Sequence, residues 1–427
     1  MNPNYLRNLV SKKIIFAFVV VGLLLISLVL YLNRPSSVYV SAEQGSDLFV
    51  ATSKGGEFKK IGTTNVTYKT KKLPSDVYFM ATHDTKKTIS GVSLKKGDKK
   101  SLTLTLANKA AATQIADEAL SNVYLDGTVG QGIVSDEFTL VNFETNKDVP
   151  VRPEFAGLPY MKKIVWYDAN NFVYSSFRQG VGSFINGVPL YQNGIGVKIF
   201  NKDGSESDEG YDDEILVDDI SKSPKQPLVL ASPTNIYLSN DMGNTLRSII
   251  VYDSVKGITN SLHATDSHIY RHSGEEPASY ASEEGSSDKS KEVHSSKLYE
   301  YDYSGKETNT ITIPDTTIRA ITETSNKTYV LTPNNLLVID NGAINTQSLY
   351  FNFARDITTY KNNVVLLGDS GIWKVGEDGL SLQLLYEFND GGVGLAKSFS
   401  TSNDTLIFST QRTTAGSGNT RMYGIRF

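Results

Sequence analysis

Gly368-Asp369-Ser370-Gly371 sets a serine in a tight glycine turn, a setting in which a hydroxyl can act as a nucleophile. Such a serine needs a base placed beside it, and no histidine follows His294 in the chain. The turn is accounted for as a link between two strands, with Gly371 supplying a permissive backbone. Residues 203–219, DGSESDEGYDDEILVDD, gather the carboxylates that calcium prefers. The glycine required at the sixth position of an EF-hand loop is missing, so this run reads as a solvated acidic loop. His268 and His272 stand four apart, but the surrounding pattern is strand and loop, not a helix face that would turn both toward one ion. With five histidines and no cysteine, the chain is expected to carry no transition-metal site, no thiol chemistry and no cofactor. No catalytic residue is assigned. The remaining candidates are aromatic: Tyr160, Trp166, Tyr167, Tyr191, Tyr252 and Trp373 could form a rim that stacks on sugars or grips a peptide.

The elements that must position these residues begin with an apolar run. Residues 14–32, IIFAFVVVGLLLISLVLYL, contain no charge and would span about 28 Å as a helix, close to the hydrocarbon thickness of a bilayer. The run is longer than the apolar core of a cleavable signal peptide, and Asn33-Arg34-Pro35 follows it without a small-x-small pair. It therefore reads as an uncleaved transmembrane helix. Arg7, Lys12 and Lys13 precede it, whereas Arg34 stands alone behind it, so residues 1–13 are expected to be cytoplasmic and the rest extracytoplasmic. The absence of cysteine means that an exported domain must hold itself by burial alone. Forty-two basic residues against 46 acidic ones give a net charge of −4 with no extended basic patch, which argues against nucleic acid as a partner.

Residues 36–106 consist of short runs rich in β-branched and aromatic side chains, separated by Gly, Asp, Ser and Lys turns. Leu102, Leu104 and Leu106 alternate with Thr103 and Thr105, the period of a half-buried strand. The turn Ile61-Gly62-Thr63-Thr64, the strand entry Leu73-Pro74-Ser75-Asp76-Val77-Tyr78 and the turn Val92-Ser93-Leu94-Lys95-Lys96-Gly97 resemble those of PEGA-type domains. Asn65 and Asp76 replace the proline and glycine usual there, and the tetrad that names the family is missing. The resemblance implies a small surface β-sandwich used as a spacer or adhesion module, with no catalytic residues. Residues 107–119, dominated by alanine and polar residues, read as a linker.

From Leu120 to Phe427 one rhythm recurs. Ile357-Thr358-Thr359-Tyr360-Lys361-Asn362-Asn363-Val364-Val365-Leu366-Leu367 places a short Lys/Asn turn between two strands, and similar hairpins start near Ile164, Ala320 and Phe399. Units start near Leu120, Tyr160, Glu214, Ser261, Thr316, Ala354 and Lys397, about 30–55 residues apart, and 308 residues shared among seven units give about 44 each, the size of a four-stranded propeller blade. Residues 120–427 are thus expected to form a β-propeller of about seven blades; a pair of stacked β-sandwiches is the alternative. Ser239-Asn240-Asp241-Met242-Gly243-Asn244-Thr245-Leu246 resembles the Asp-box turn of sialidase-type and other propellers, with Leu246 where tryptophan is usual. That resemblance, to blades of the Asp-box or WD-repeat kind, implies hairpin stabilisation and says nothing about glycosidase activity. Residues 272–296, with almost no apolar side chains, read as a disordered insertion between two strands.

Together these features describe an all-β ectodomain on a single-pass membrane anchor, expected to bind or scaffold an envelope protein or glycan. A polysaccharide-active enzyme on a propeller scaffold and a structural subunit of an envelope complex are the rival readings.

Overall fold

In the computed structural model the described residues are 34–70, 76–116, 120–126, 129–134, 139–142, 147–150, 161–166, 172–176, 184–185, 188–189, 198–200, 219–223, 225–232, 235–240, 245–251, 258–274, 296–313, 317–351, 354–368, 371–377, 379, 381–388, 395–402, 405–411 and 420–425. Every regular element among them is a β-strand. The apolar run 14–32 lies outside the described residues, and among those residues no helix is long and apolar enough to cross a membrane. The chain divides into two units, Met1–Ala107 with Gly376–Gln383, and Asn108–Val375 with Leu384–Phe427.

The smaller unit is a two-sheet sandwich. One sheet has Ser36–Ala42 at its centre, antiparallel to Asn65–Thr70 and parallel to Lys99–Leu104. The other runs Lys59–Thr63, Asp47–Ala51, Asp76–His83, Lys86–Ser93, and its last strand is extended by an antiparallel pairing of Thr88, Ile89 and Ser90 with Gln383, Leu382 and Ser381. Alternation fixes which side chains go inward. Val38, Val40, Leu102 and Leu104 from the first sheet meet Leu48, Val50, Val77, Phe79 and Ala81 from the second in one core. Each valine, leucine or phenylalanine among them contributes roughly 1.5–3 kcal/mol on burial. Leu102 and Leu104 are buried while Ser101 and Thr103 are exposed, as the period-two pattern requires.

The larger unit is a succession of antiparallel sheets. They begin at Leu120, Met161, Asp219, Ile258, Ala320, Asp356 and Leu395, within a few residues of the starts that the hairpin rhythm marks. The third, fourth and fifth each run in simple meander order: Asp219–Lys222, Leu228–Ala231, Asn235–Ser239, Arg247–Val251; then Ile258–Ala264, Ile269–Gly274, Ser296–Tyr301, Glu307–Ile313; then Ala320–Glu323, Thr328–Leu331, Asn335–Asp340, Ala343–Ser348. The hairpins carry their own chemistry. Asn341 (φ 49°) and Gly342 (φ 80°) close the last hairpin of the fifth sheet, and Lys361 (φ 46°) and Asn362 (φ 63°) close the first hairpin of the sixth. Both are two-residue turns with positive φ at each position, the form that matches strand twist.

The first strands of successive sheets lie side by side in chain order, first to second, second to third, third to fourth, fifth to sixth and sixth to seventh, and the seventh returns to the first. The fourth and fifth are joined by side chains of Thr265 and His268 on Glu323. This closed order is β-propeller-like and differs from that of two stacked sandwiches. The core is correspondingly divided into slabs between neighbouring sheets. Val229, Ile236, Leu238 and Ile250 pack on Leu262, Ile269, Tyr299 and Tyr301, and Tyr270, Leu298, Ile311 and Ile313 pack on Val330, Leu337 and Ile339.

Two readings of the sequence change here. Ala112–Ala116 lies within the segment read as a linker, yet it is a strand, paired antiparallel with Thr420–Ile425. It completes the sheet of Leu395–Ser402, Thr405–Gln411 and Thr420–Ile425, so that the end of the chain is closed by a strand from the beginning of the unit. His272, Ser273 and Ser296, read as the ends of a disordered insertion, are buried strand residues (0%, 5% and 2% exposed), with His272 opposite Leu298 and Ser273 opposite Lys297. The rest of the insertion, 275–295, lies outside the described residues.

Ring closure gives a direct test. Deleting residues 421–427 removes the partner of both Thr405–Gln411 and Ala112–Ala116, leaving two strand edges open. The truncated protein is expected to aggregate or lose its cooperative thermal transition in calorimetry. A monomer that melts like the full chain would refute closure by this strand.

Candidate functional site

The carboxyl-terminal ends of four consecutive first strands converge on a cavity of about 580 Å³. Lys222 and Ser223 come from the third sheet, Thr265, Asp266 and Ser267 from the fourth, Thr322 to Ser325 from the fifth, and Thr358, Thr359 and Asn362 from the sixth. The rim is shaped by a repeated local device. Thr265 N donates to His268 O (2.9 Å) while Thr265 Oγ1 accepts from His268 N (3.0 Å), and Thr324 does the same with Lys327 at 2.9 and 3.2 Å. A threonine that caps its own turn in this way fixes the loop locally.

Glu323 is the node of the site. Its side chain is 10% exposed, and donors from the neighbouring sheet fill both of its oxygens. Thr265 Oγ1 donates to Oε2 at 2.6 Å, His268 Nδ1 lies 2.7 Å from Oε1, and the Tyr270 hydroxyl donates to the same Oε1. Tyr270 also touches Thr328 Oγ1 at 3.0 Å and Glu300 Oε2 at 3.3 Å. Burial, and then the charge of Glu323, push the Tyr270 phenol far above its ordinary value, so it stays a neutral donor. Burial does the same to Tyr303, aided by Asp266 and Glu323, and its hydroxyl donates to Thr265 O at 2.7 Å. On the other side, Thr359 Oγ1 donates to Glu323 O at 2.7 Å and lies 2.8 Å from Thr322 Oγ1.

The remaining charges of the cavity are also tied. Burial raises the Asp266 carboxyl, but the Ser223 hydroxyl and the Lys225 ammonium, 3.0 Å away, outweigh it and hold the group below the usual carboxylate range. Lys222 Nζ donates to Gln226 O at 2.7 Å and to Ser223 O at 3.1 Å. Deeper in the ring, Asp219 and Ser221 accept the backbone N–H groups of Leu262 and Ala264, each at 2.7 Å. Among the described residues no group of three or more His, Asp or Glu side chains could hold a metal ion.

The sequence-derived candidates are distributed differently. Trp373 is 1% exposed and packs 4.9 Å from Phe351, inside the sixth sheet and not on a rim. A strand rich in apolar residues, Gly371–Val375, buries its tryptophan because both of its faces are covered. Trp166 ends the strand Met161–Trp166, and Tyr160, Tyr167, Tyr191 and Tyr252 lie outside the described residues. Asp369 and Ser370, the centre of the Asp-box and residues 203–218 lie outside them too. Gly368 N donates to Gly371 O at 3.0 Å across the GDSG turn, and a Cβ on Gly371 would stand 2.3 Å from Tyr386 O, which explains the glycine. His268 and His272 do not share a site: the first sits on Glu323, the second 2.7 Å from Ser296 Oγ. The hub residues were missed because small hydroxyl side chains in strands carry no distinctive spacing. The available signal was the recurrence of a hydroxyl residue just after the first strands of the third, fourth and fifth sheets, at Ser223, Thr265 and Thr324.

No protein-family model and no curated sequence matches the chain. Solved structures to which it is similar include the gluconolactonase XC5397 of Xanthomonas campestris (13% identity, TM-score 0.39, covering 75% of this chain and 97% of that one). A second protein described as a gluconolactonase has 11% identity and a TM-score of 0.38, over 63% of this chain and 89% of that one. PorZ, a surface component of the type-IX secretion system of Porphyromonas gingivalis, has 10% identity and a TM-score of 0.38, over 79% of this chain and 43% of that one. Likeness at this level assigns no activity.

Two measurements test the electrostatics. Glu323→Ala strands three donors in a largely buried seam and is expected to cost about 3 kcal/mol in denaturant unfolding, with a smaller loss for Glu323→Gln, which keeps one acceptor. An unchanged midpoint for the alanine variant would show that the carboxylate is not the node. Burial, and then the adjacent Arg271, lower His272 to about 4 from its ordinary 6.5. As pH falls through that window the unfolded chain takes up the proton and the folded one does not, so stability that is full above about 6.5 is lost progressively down to about 4. His272→Gln is expected to flatten the melting temperature against pH over this range; an unaltered slope would contradict the assignment.

Proposed function

We propose that the chain is a membrane-anchored, extracytoplasmic binding or scaffolding protein that presents its propeller-like ring at the cell envelope. Residues 14–32 supply the anchor, the basic residues before them set its orientation, and residues 36–106 act as a spacer sandwich of PEGA type. The observation that carries the reading is the hub cavity. It is built by four successive sheets, its carboxylates are occupied by internal donors, and it is walled mainly by hydroxyl groups. Acid–base hydrolysis of a glycan needs two carboxyl groups facing the substrate, one of them free to give up a proton. Glu323 and Asp266 instead spend their oxygens on Thr265, His268, Tyr270, Ser223 and Lys225. That arrangement suits recognition better than turnover.

Protease added to intact spheroplasts is expected to digest the chain beyond Arg34 and spare only the amino-terminal tail; protection of the large units would overturn the localisation. Incubation with envelope glycan is expected to release no reducing sugar. Release that stops on Glu323→Gln would replace the binding reading with an enzymatic one.

A further inference from the structure

We infer that the hub cavity binds a neutral, polyhydroxylated ligand, a saccharide unit, through hydroxyl and amide side chains contributed by the fourth, fifth and sixth sheets. The inference rests on the binding reading above and names its ligand class. Its size fits, since about 580 Å³ lies within the roughly 300–1,000 Å³ of small-molecule sites. Its charged side chains are already engaged within the protein. Lys225 and Asp266 neutralise each other at 3.0 Å, Lys222 is held by two carbonyl oxygens, and Glu323 is saturated by three donors. An ionic ligand would have to compete with these internal partners for a counter-charge while losing its own water, a cost that a neutral ligand does not meet.

The remaining groups define the complement. Among the described residues, no side-chain hydrogen bond within the protein occupies Ser267, Ser325, Thr358 or Asn362, and all four line the cavity. Hydroxyl and carboxamide groups both donate and accept, which matches a ligand whose own hydroxyls do the same. Ile321 and Ile357 provide a small apolar surface for the C–H face of a sugar ring. A peptide would need deeper apolar pockets for its side chains, and the lining offers only these two isoleucines and Ala264.

The test uses the full chain in a detergent that contains no sugar, with saturation-transfer NMR and calorimetric titration. The probes are neutral methyl glycosides of glucose, galactose, mannose and N-acetylglucosamine, set against glucuronate, galacturonate and glucosamine, which keep the ring and add a charge. At least one neutral glycoside is expected to bind at millimolar concentration or below, and its charged counterpart at least about tenfold more weakly, the equivalent of one uncompensated interaction. Thr358→Val and Ser267→Ala are each expected to weaken binding about fivefold with an unchanged melting temperature, as for one lost hydrogen bond. Equal or tighter binding of the charged sugars, or binding indifferent to both substitutions, would overturn the inference. If no neutral glycoside binds while the protein still retains an envelope component in a manner sensitive to Glu323→Gln, the ligand class is wrong and the binding reading stands.

Discussion

The first strand of every sheet in the larger unit has one edge that no neighbouring strand of its own sheet covers, and its N–H groups there must find acceptors. Asp219 and Ser221 supply them to the next sheet. Two positions apart on one strand, their oxygens take the N–H groups of Leu262 and Ala264, two positions apart on the other, each at 2.7 Å. Each pair spans 43 residues of chain, so the side-chain ladder has the register of the sheet repeat itself. Ser223, two positions further, ends the ladder by donating its hydroxyl to the Asp266 carboxylate. This constraint fixes the third sheet against the fourth, and it explains the short polar side chains at Asp219 and Ser221.

The cavity is what remains where that ladder ends. Between the third and fourth sheets the contacts stop at the Asp266 cluster; between the fourth and fifth they run through Glu323; between the fifth and sixth they pass through Thr322 and Thr359. Each seam thus closes with polar groups that satisfy one another, and the side chains one step beyond are left facing the opening. The slabs of Leu, Ile, Val and Tyr on either side keep these seams in place, because moving a sheet would unpack a fully buried layer. The buried phenol of Tyr270, neutral by virtue of its surroundings, locks Glu323 from the dry side.

Local features of this arrangement were legible in the sequence, and non-local ones were not. The Asn341-Gly342 and Lys361-Asn362 turns announce their hairpins, since positive φ at two successive positions narrows the residue choice. The alternation of Leu102 and Leu104 announces a half-buried strand. Ala112–Ala116 announces nothing, because its identity as a strand depends on Thr420–Ile425 at the opposite end of the chain. The pairing of Ser381–Gln383 with Thr88–Ser90 hides for the same reason. Asp219 closes an acidic run and reads as solvated, yet it is 3% exposed, its burial made tolerable by the amides it accepts. Trp373 carries the opposite lesson: an aromatic side chain on a strand covered on both faces is core, however well its chemistry would suit a rim.

Backbone amide exchange measures the ladder directly. Under native conditions the N–H groups of Leu262 and Ala264 are expected to exchange slowly, and Asp219→Ala is expected to speed Leu262 selectively while Ile269–Gly274 stays protected. Fast exchange at Leu262 and Ala264 in the unaltered protein, or an Asp219→Ala variant with unchanged exchange at Leu262, would contradict an account in which side chains of one first strand hold the edge of the next.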